Sequence, residues 1–126
     1  MLELCRLDDI PDGGARGFAV EGPALAQRLI VARQGVRVFG YVNSCPHVPS
    51  RLDFIAGEFL DPDGAYLECQ GHGALFRIDD GHCVAGPCAG QSLLPAPVRV
   101  ADGRVWLDRP GLALVDEISK VLSDLQ

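Results

Sequence analysis

The 126-residue sequence contains no run of 18 apolar residues, so no membrane-spanning helix is expected. Its first residues, MLELCRLDD, lack the basic stretch followed by an apolar one that marks an export signal, and a cytoplasmic location is the expectation. A basic surplus is also missing. Seventeen acids against eleven basic residues give a net charge of −6, a poor match for nucleic acid, whose phosphates call for clustered Lys and Arg. Internal repeats, low-complexity tracts and linkers are absent. Histidine is scarce, with three in the chain, and the five cysteines are an odd number. Without an export signal, cysteines read as metal ligands, reactive thiols or small core residues before they read as disulfides.

What is present suits one globular domain spanning residues 1–126. Apolar residues make up 48%, enough for a core, and 15 Gly with 9 Pro indicate many turns. Asp-Gly pairs at Asp12-Gly13, Asp63-Gly64, Asp80-Gly81 and Asp102-Gly103 are hairpin signals, because both residues tolerate positive φ. Strand-like runs fall at 2–7, 17–20, 28–33, 36–42, 65–69, 75–78, 83–85, 98–101 and 104–108, and the expected fold is all-β, an antiparallel sandwich or barrel. The tail differs. From Leu112, apolar residues Leu114, Val115, Ile118, Val121, Leu122 and Leu125 recur at helical spacing after Pro110, with Asp116 and Glu117 early. This predicts an added C-terminal amphipathic helix over about 112–125. Its apolar face would pack on the sheet or serve a partner, including a second copy in a homo-oligomer.

Two of the three histidines follow cysteines at short range, in Cys45-Pro46-His47 and Cys69-Gln70-Gly71-His72, with 21 residues between the pairs. Each segment offers one thiolate and one imidazole. Pro46, Gly71 and Gly73 keep the loops tight, and glycine lets backbone N–H groups approach a bulky inorganic core. Strand-like runs lead into both, which would hold the four side chains at the end of a rigid sheet.

Cys-x-His followed by Cys-x-x-His-Gly resembles the binding motif of Rieske iron–sulfur proteins. The stretch HGALFRIDDGHCVAGP extends the similarity through Gly73, Phe76, Asp80-Gly81 and Gly86-Pro87, and the Asp102-Gly103 turn matches the closing hairpin. The resemblance covers roughly residues 36–108. It implies a Rieske-type antiparallel sandwich with a cluster-binding subdomain at about 43–90 and one [2Fe–2S] cluster per chain. Cys45 and Cys69 would bind an inner iron, and His47 and His72 an outer one. Pro46, Gly71, Gly73, Ala74, Phe76, Gly86 and Pro87 would surround the cluster. Two thiolates leave an oxidised site neutral where four would leave it at −2, so it accepts an electron more readily.

High-potential members of that family carry Ser and Tyr hydroxyls where this chain has Ala74 and Phe76, and a disulfide where it has Ser50 and Gly71. The resemblance is therefore to the low-potential, oxygenase-associated ferredoxin branch, at about −150 mV. It implies a one-electron carrier, not an enzyme, passing electrons from a reductase to a terminal oxygenase or similar partner. An oxygenase's mononuclear iron needs two further histidines, and only His82 remains. The alternatives are a small non-catalytic subunit of a larger reductase, like that of nitrite reductases, and a Cys₂His₂ zinc domain. Zinc fits less well, since a single residue separates the first pair. His82 reads as a solvated turn residue, and Cys5, Cys83 and Cys88 as core or loop residues. Cys88 stands out because it follows Gly86-Pro87, the loop that covers the cluster in the family. Between Cys45 and Gly90, seven acids (Asp53, Glu58, Asp61, Asp63, Glu68, Asp79, Asp80) face two arginines, either as a solvated surface or as a steering field for a basic partner.

Overall fold

The long apolar run in the first third of the chain, Leu29-Ile30-Val31-Ala32, is buried on both faces. Leu29 and Val31 join one core, Ile30 and Ala32 the other. This is the period-two alternation of a strand sandwiched between two layers. The fold is taken from a computed structural model that describes residues 1–23, 25–46, 50–53 and 57–115, with nothing said of the Leu25 side chain.

The described residues form β1 (Leu2–Arg6), β2 (Ala15–Gly22), β3 (Leu25–Gln34), β4 (Arg37–Val42), β5 (Tyr66–Glu68), β6 (Leu75–Arg77), β7 (Cys83–Ala85), β8 (Pro95–Ala96), β9 (Val98–Ala101), β10 (Arg104–Leu107) and β11 (Ala113–Val115). One 3₁₀ turn, Leu7–Asp9, follows β1. Three antiparallel sheets result, ordered β1-β10-β9, β11-β2-β3-β4-β8 and β5-β6-β7. The five-stranded sheet is the middle layer. One of its faces packs Phe18, Val20, Leu29 and Val31 against Leu4, Val105 and Leu107 of the first sheet. The other packs Ile30, Ala32 and Tyr41 against Leu67, Phe76 and Cys83 of the small sheet. The Tyr41 hydroxyl donates to the Ile78 carbonyl at 2.6 Å, which ties the small sheet to β4.

The turn chemistry follows the sequence. Asp102 and Gly103 both have positive φ (54° and 70°), as the two-residue I′ turn between β9 and β10 requires. Between β3 and β4 the turn is Gly35-Val36, with positive φ at Gly35 alone. Val36, expected as the first residue of a strand, is therefore the second turn residue and is 76% exposed. The short strand β8 carried no signal, since two residues beginning with proline do not read as a strand.

The expected C-terminal helix is corrected over its first turn. Residues 113–115 form β11, which pairs antiparallel with β2 through Ala113↔Glu21, Leu114↔Val20 and Val115↔Ala19. Gly111, at φ +77°, turns the chain back along that sheet edge, whose open N–H and C=O groups offer partners that a helix start would not satisfy. Leu112 packs on the core instead of beginning an amphipathic face. The remainder of the expected helix, with the self-association face assigned to it, lies outside the described residues.

Candidate metal centre

Both cysteine–histidine segments leave strand ends, as their flanking runs suggest. The first leaves β4. Its backbone is held by the Asn43 N–H on the Arg28 carbonyl (2.9 Å) and by the Cys45 N–H on the Ser50 carbonyl (2.9 Å). The second is the β5–β6 hairpin loop, closed by Cys69 N–H to Ala74 O (2.9 Å) and by the Gly73 N–H on Cys69 O (2.7 Å). The Gln70 N–H donates to Leu52 O at 2.8 Å, which joins one loop to the other.

This places Cys45 and Cys69 side by side, 2% and 0% exposed, with their sulfurs in hydrogen-bond contact. His72 is exposed, and its Nδ1 lies 3.6 Å from Cys69 Sγ. Pro46 is half-buried, Gly71 and Gly73 are exposed, and Ala74 and Phe76 are fully buried beneath the loop. His47 lies outside the described residues, and among the described residues no three metal-ligating side chains close on one point. None of the five cysteines is in a disulfide.

The environment of Cys69 suits a metal-bound thiolate. Burial, then the neighbouring Cys45 sulfur, pushes the Cys69 thiol up, while the His72 and Gly71 N–H groups donate to its sulfur and act in the opposite direction. Those two N–H groups are preset to receive negative charge on sulfur, and a coordinated cation would reverse the rise outright. Two buried sulfurs beside an exposed imidazole also match an iron–sulfur group with an inner thiolate side and an outer histidine side, so the residues present fit it.

The loop after β7 covers this centre. Gly86 has φ +95°, and a Cβ there would come within 2.7 Å of Ala74 Cα, so only glycine lets the loop lie on the second ligand segment. Pro87 is exposed, and Cys88 turns inward at 2% exposed. Its thiol donates to Cys83 Sγ at 3.1 Å, contacts Cys45, and is pushed up to about 12 by burial and by those two sulfurs. His82, expected as a solvated turn residue, is half-buried, with Nδ1 3.2 Å from Ser92 Oγ.

One positioning unit was missed by sequence reasoning. Asp53, 4% exposed, accepts from Asn43 Nδ2 (2.9 Å), Arg51 Nε and Nη2 (3.0 and 2.8 Å) and the Gly57 N–H (3.0 Å). Asn43 in turn accepts the Leu52 N–H at 2.8 Å. Burial alone would raise the Asp53 carboxyl. The bonds from Arg51, Asn43 and Gly57 outweigh it and hold the group below its ordinary range. Asp53 is therefore a clasp around the first ligand loop, not one of the steering acids, and Asp80 is likewise engaged by Arg77 at 2.7 Å. Only the buried amide–carboxylate–guanidinium geometry reveals this unit, and no local motif announces it.

The sequence profile of the Rieske [2Fe–2S] domain matches residues 1–105. The ferredoxin of Sphingomonas yanoikuyae B1 is 30% identical, with 86% of this chain and 98% of that one superposed at a TM-score of 0.64. A chain from the complex of reduced oxygenase and oxidised ferredoxin in carbazole 1,9a-dioxygenase is 26% identical, covering 84% and 90% at a TM-score of 0.65. The ferredoxin of carbazole 1,9a-dioxygenase from Nocardioides aromaticivorans IC177 has the same fold, at 22% identity, 84% and 94% coverage and a TM-score of 0.64. Among curated protein sequences none matches. With the paired buried cysteines and the neighbouring exposed histidine, the profile match establishes that this chain belongs to the Rieske [2Fe–2S] domain family.

Proposed function

We propose that this protein is a one-electron carrier that takes electrons from a reductase and delivers them to a terminal oxygenase through a Rieske-type cluster held by Cys45, His47, Cys69 and His72. The observation that carries the reading is the buried Cys45–Cys69 sulfur pair with His72 exposed beside it, within a domain similar to dioxygenase ferredoxins.

When bound, the cluster supplies a reversible one-electron couple. The chain's own residues do the rest. The buried Cys45 and Cys69 would hold the cluster away from water, and the Gly71 and His72 N–H groups would stabilise negative charge on the Cys69 sulfur. The Gly86-Pro87 loop seals the centre from above, while the exposed His72 edge leaves a short path to a docking partner. No bond is made or broken in the carrier, so specificity rests on approach and potential. We assign residues 43–90 to one cluster-binding subdomain, supported by the Gln70–Leu52 bond between the loops and by the shared core beneath them. A cytoplasmic location goes with the thiols of Cys5, Cys83 and Cys88, which a reducing compartment preserves.

The test is reconstitution. With a flavin-dependent reductase and a Rieske oxygenase, the loaded protein should restore substrate-dependent electron flow, and a variant lacking His72 should not. Equal flow with and without the protein would contradict the carrier reading.

A further inference from the structure

Three buried thiols lie in sequence of contact: Cys83, Cys88 and Cys45. The Cys83 thiol donates to the Ala85 carbonyl at 3.2 Å and so is already directed along its own strand. The Cys88 thiol donates to Cys83 Sγ at 3.1 Å and also meets Cys45. Cys88 thus lies between the Cys83 and Cys45 sulfurs, and Cys45 is one of the two cysteines assigned above to the inner iron.

We infer that Cys88 is a positioning residue that donates an S–H hydrogen bond to the Cys45 sulfur in the cluster-loaded protein and thereby raises the reduction potential. The inference rests on the assignment of Cys45 as a ligand. Of the two sulfurs it meets, Cys83 directs its own proton to the Ala85 carbonyl, whereas an iron-bound Cys45 would carry negative charge. Hydrogen bonds to ionised acceptors are about twice as strong as neutral ones, so the proton turns to Cys45 on loading. Reduction adds negative charge to the centre and strengthens that bond further, which favours the reduced state. The close approach of Gly86 to Ala74 fixes the loop that presents it. In a centre lacking hydroxyls at Ala74 and Phe76, Cys88 supplies a side-chain donor from the covering loop.

The experiment is a redox titration of wild type, Cys88→Ala and Cys88→Ser, followed by EPR of the reduced cluster, with iron content measured in each. At equal iron content, the alanine variant should show a potential shifted downward. The serine variant, which keeps a donor and supplies a stronger O–H one, should recover the wild-type value or exceed it. An alanine variant that is fully loaded and unshifted overturns the inference. So does alkylation mapping of loaded wild type that finds Cys83 and Cys88 joined as a disulfide, which leaves no proton to donate. If the alanine variant fails to fold, serine against wild type decides: a potential at or above wild type supports the donor role, and a fall overturns it. Absence of any cluster signal in wild type would instead contradict the ligand assignment.

Discussion

Replacing Asp53 with Asn tests whether the clasp on the first ligand loop is as important as its geometry implies. D53N preserves size but removes the charge, and it turns an NH₂ toward donors that now face an acceptor. Four hydrogen bonds reach this carboxylate, two of them from Arg51. Bonds to charged groups contribute about 1.5–3 kcal/mol each, and unpairing a buried ion pair costs about 3–5 kcal/mol. The Arg51 side chain is 35% exposed, so water recovers part of its share. A loss of about 2–4 kcal/mol follows, or roughly 10 °C in Tm for a chain of this size. Urea unfolding monitored by circular dichroism at several pH values measures it. The folded-state pKa of Asp53 is lowered, so its stabilisation is fully present above the unfolded value of about 3.9 and is lost as pH falls through the folded value. The gap between wild type and D53N should therefore be widest near neutrality and narrow below about pH 4. A gap under about 1 kcal/mol at pH 7, or one that widens on acidification, would refute the reasoning.

Three further outcomes are expected. Installing Ser at Ala74 and Tyr at Phe76, both fully buried under the second loop, should raise the potential. A bond that favours the reduced cluster by about 1 kcal/mol corresponds to about 40 mV in a one-electron couple, and an unchanged titration midpoint in the loaded double variant would count against the hydroxyl argument. Gly86→Ala puts a Cβ against Ala74 at φ +95° and should cost about 1–3 kcal/mol, with weaker cluster retention during urea titration. Glu58, Asp61, Asp63, Glu68 and Asp79 should steer a basic partner, so stopped-flow electron transfer should slow as salt rises from about 0.1 M, where screening acts over about 10 Å, to 1 M. A flat salt profile would assign these acids to simple solvation.

Much of the fold was legible because its signals are local. The strand at 83–85 came out with its expected ends, and the Asp102-Gly103 turn obeys the two-residue rule that named it. The middle strand β3 was foreshortened, since its outer residues Gln27 and Gln34 are polar and only its apolar centre is visible as a run. The tail misled for a physical reason. Leu112, Leu114 and Val115 fit helical spacing, yet three residues of strand suffice to cover the free edge of β2, and no local pattern records an open edge elsewhere in the chain. At the site, the two Cys–His pairs stand out in the sequence by their spacing, and the structure places Cys45, Cys69 and His72 together. The Asp53–Asn43–Arg51 clasp was not, because Asp53 looked like one acid among seven until its burial was known. Cys88 was picked out by its position after Gly86-Pro87, but its contacts with Cys83 and Cys45 belong to packing.

The central claim, a mixed cysteine–histidine cluster in this chain, is tested most directly by EPR of the dithionite-reduced protein beside its His72→Ala and His47→Ala variants, with iron and sulfide counted per chain. The account predicts two irons and two sulfides per chain and a reduced signal whose average g-value lies below that of an all-cysteine [2Fe–2S] centre, lost or altered in either variant. An iron-free protein containing one tetrahedral zinc, or a reduced signal left unchanged by both histidine substitutions, would contradict it.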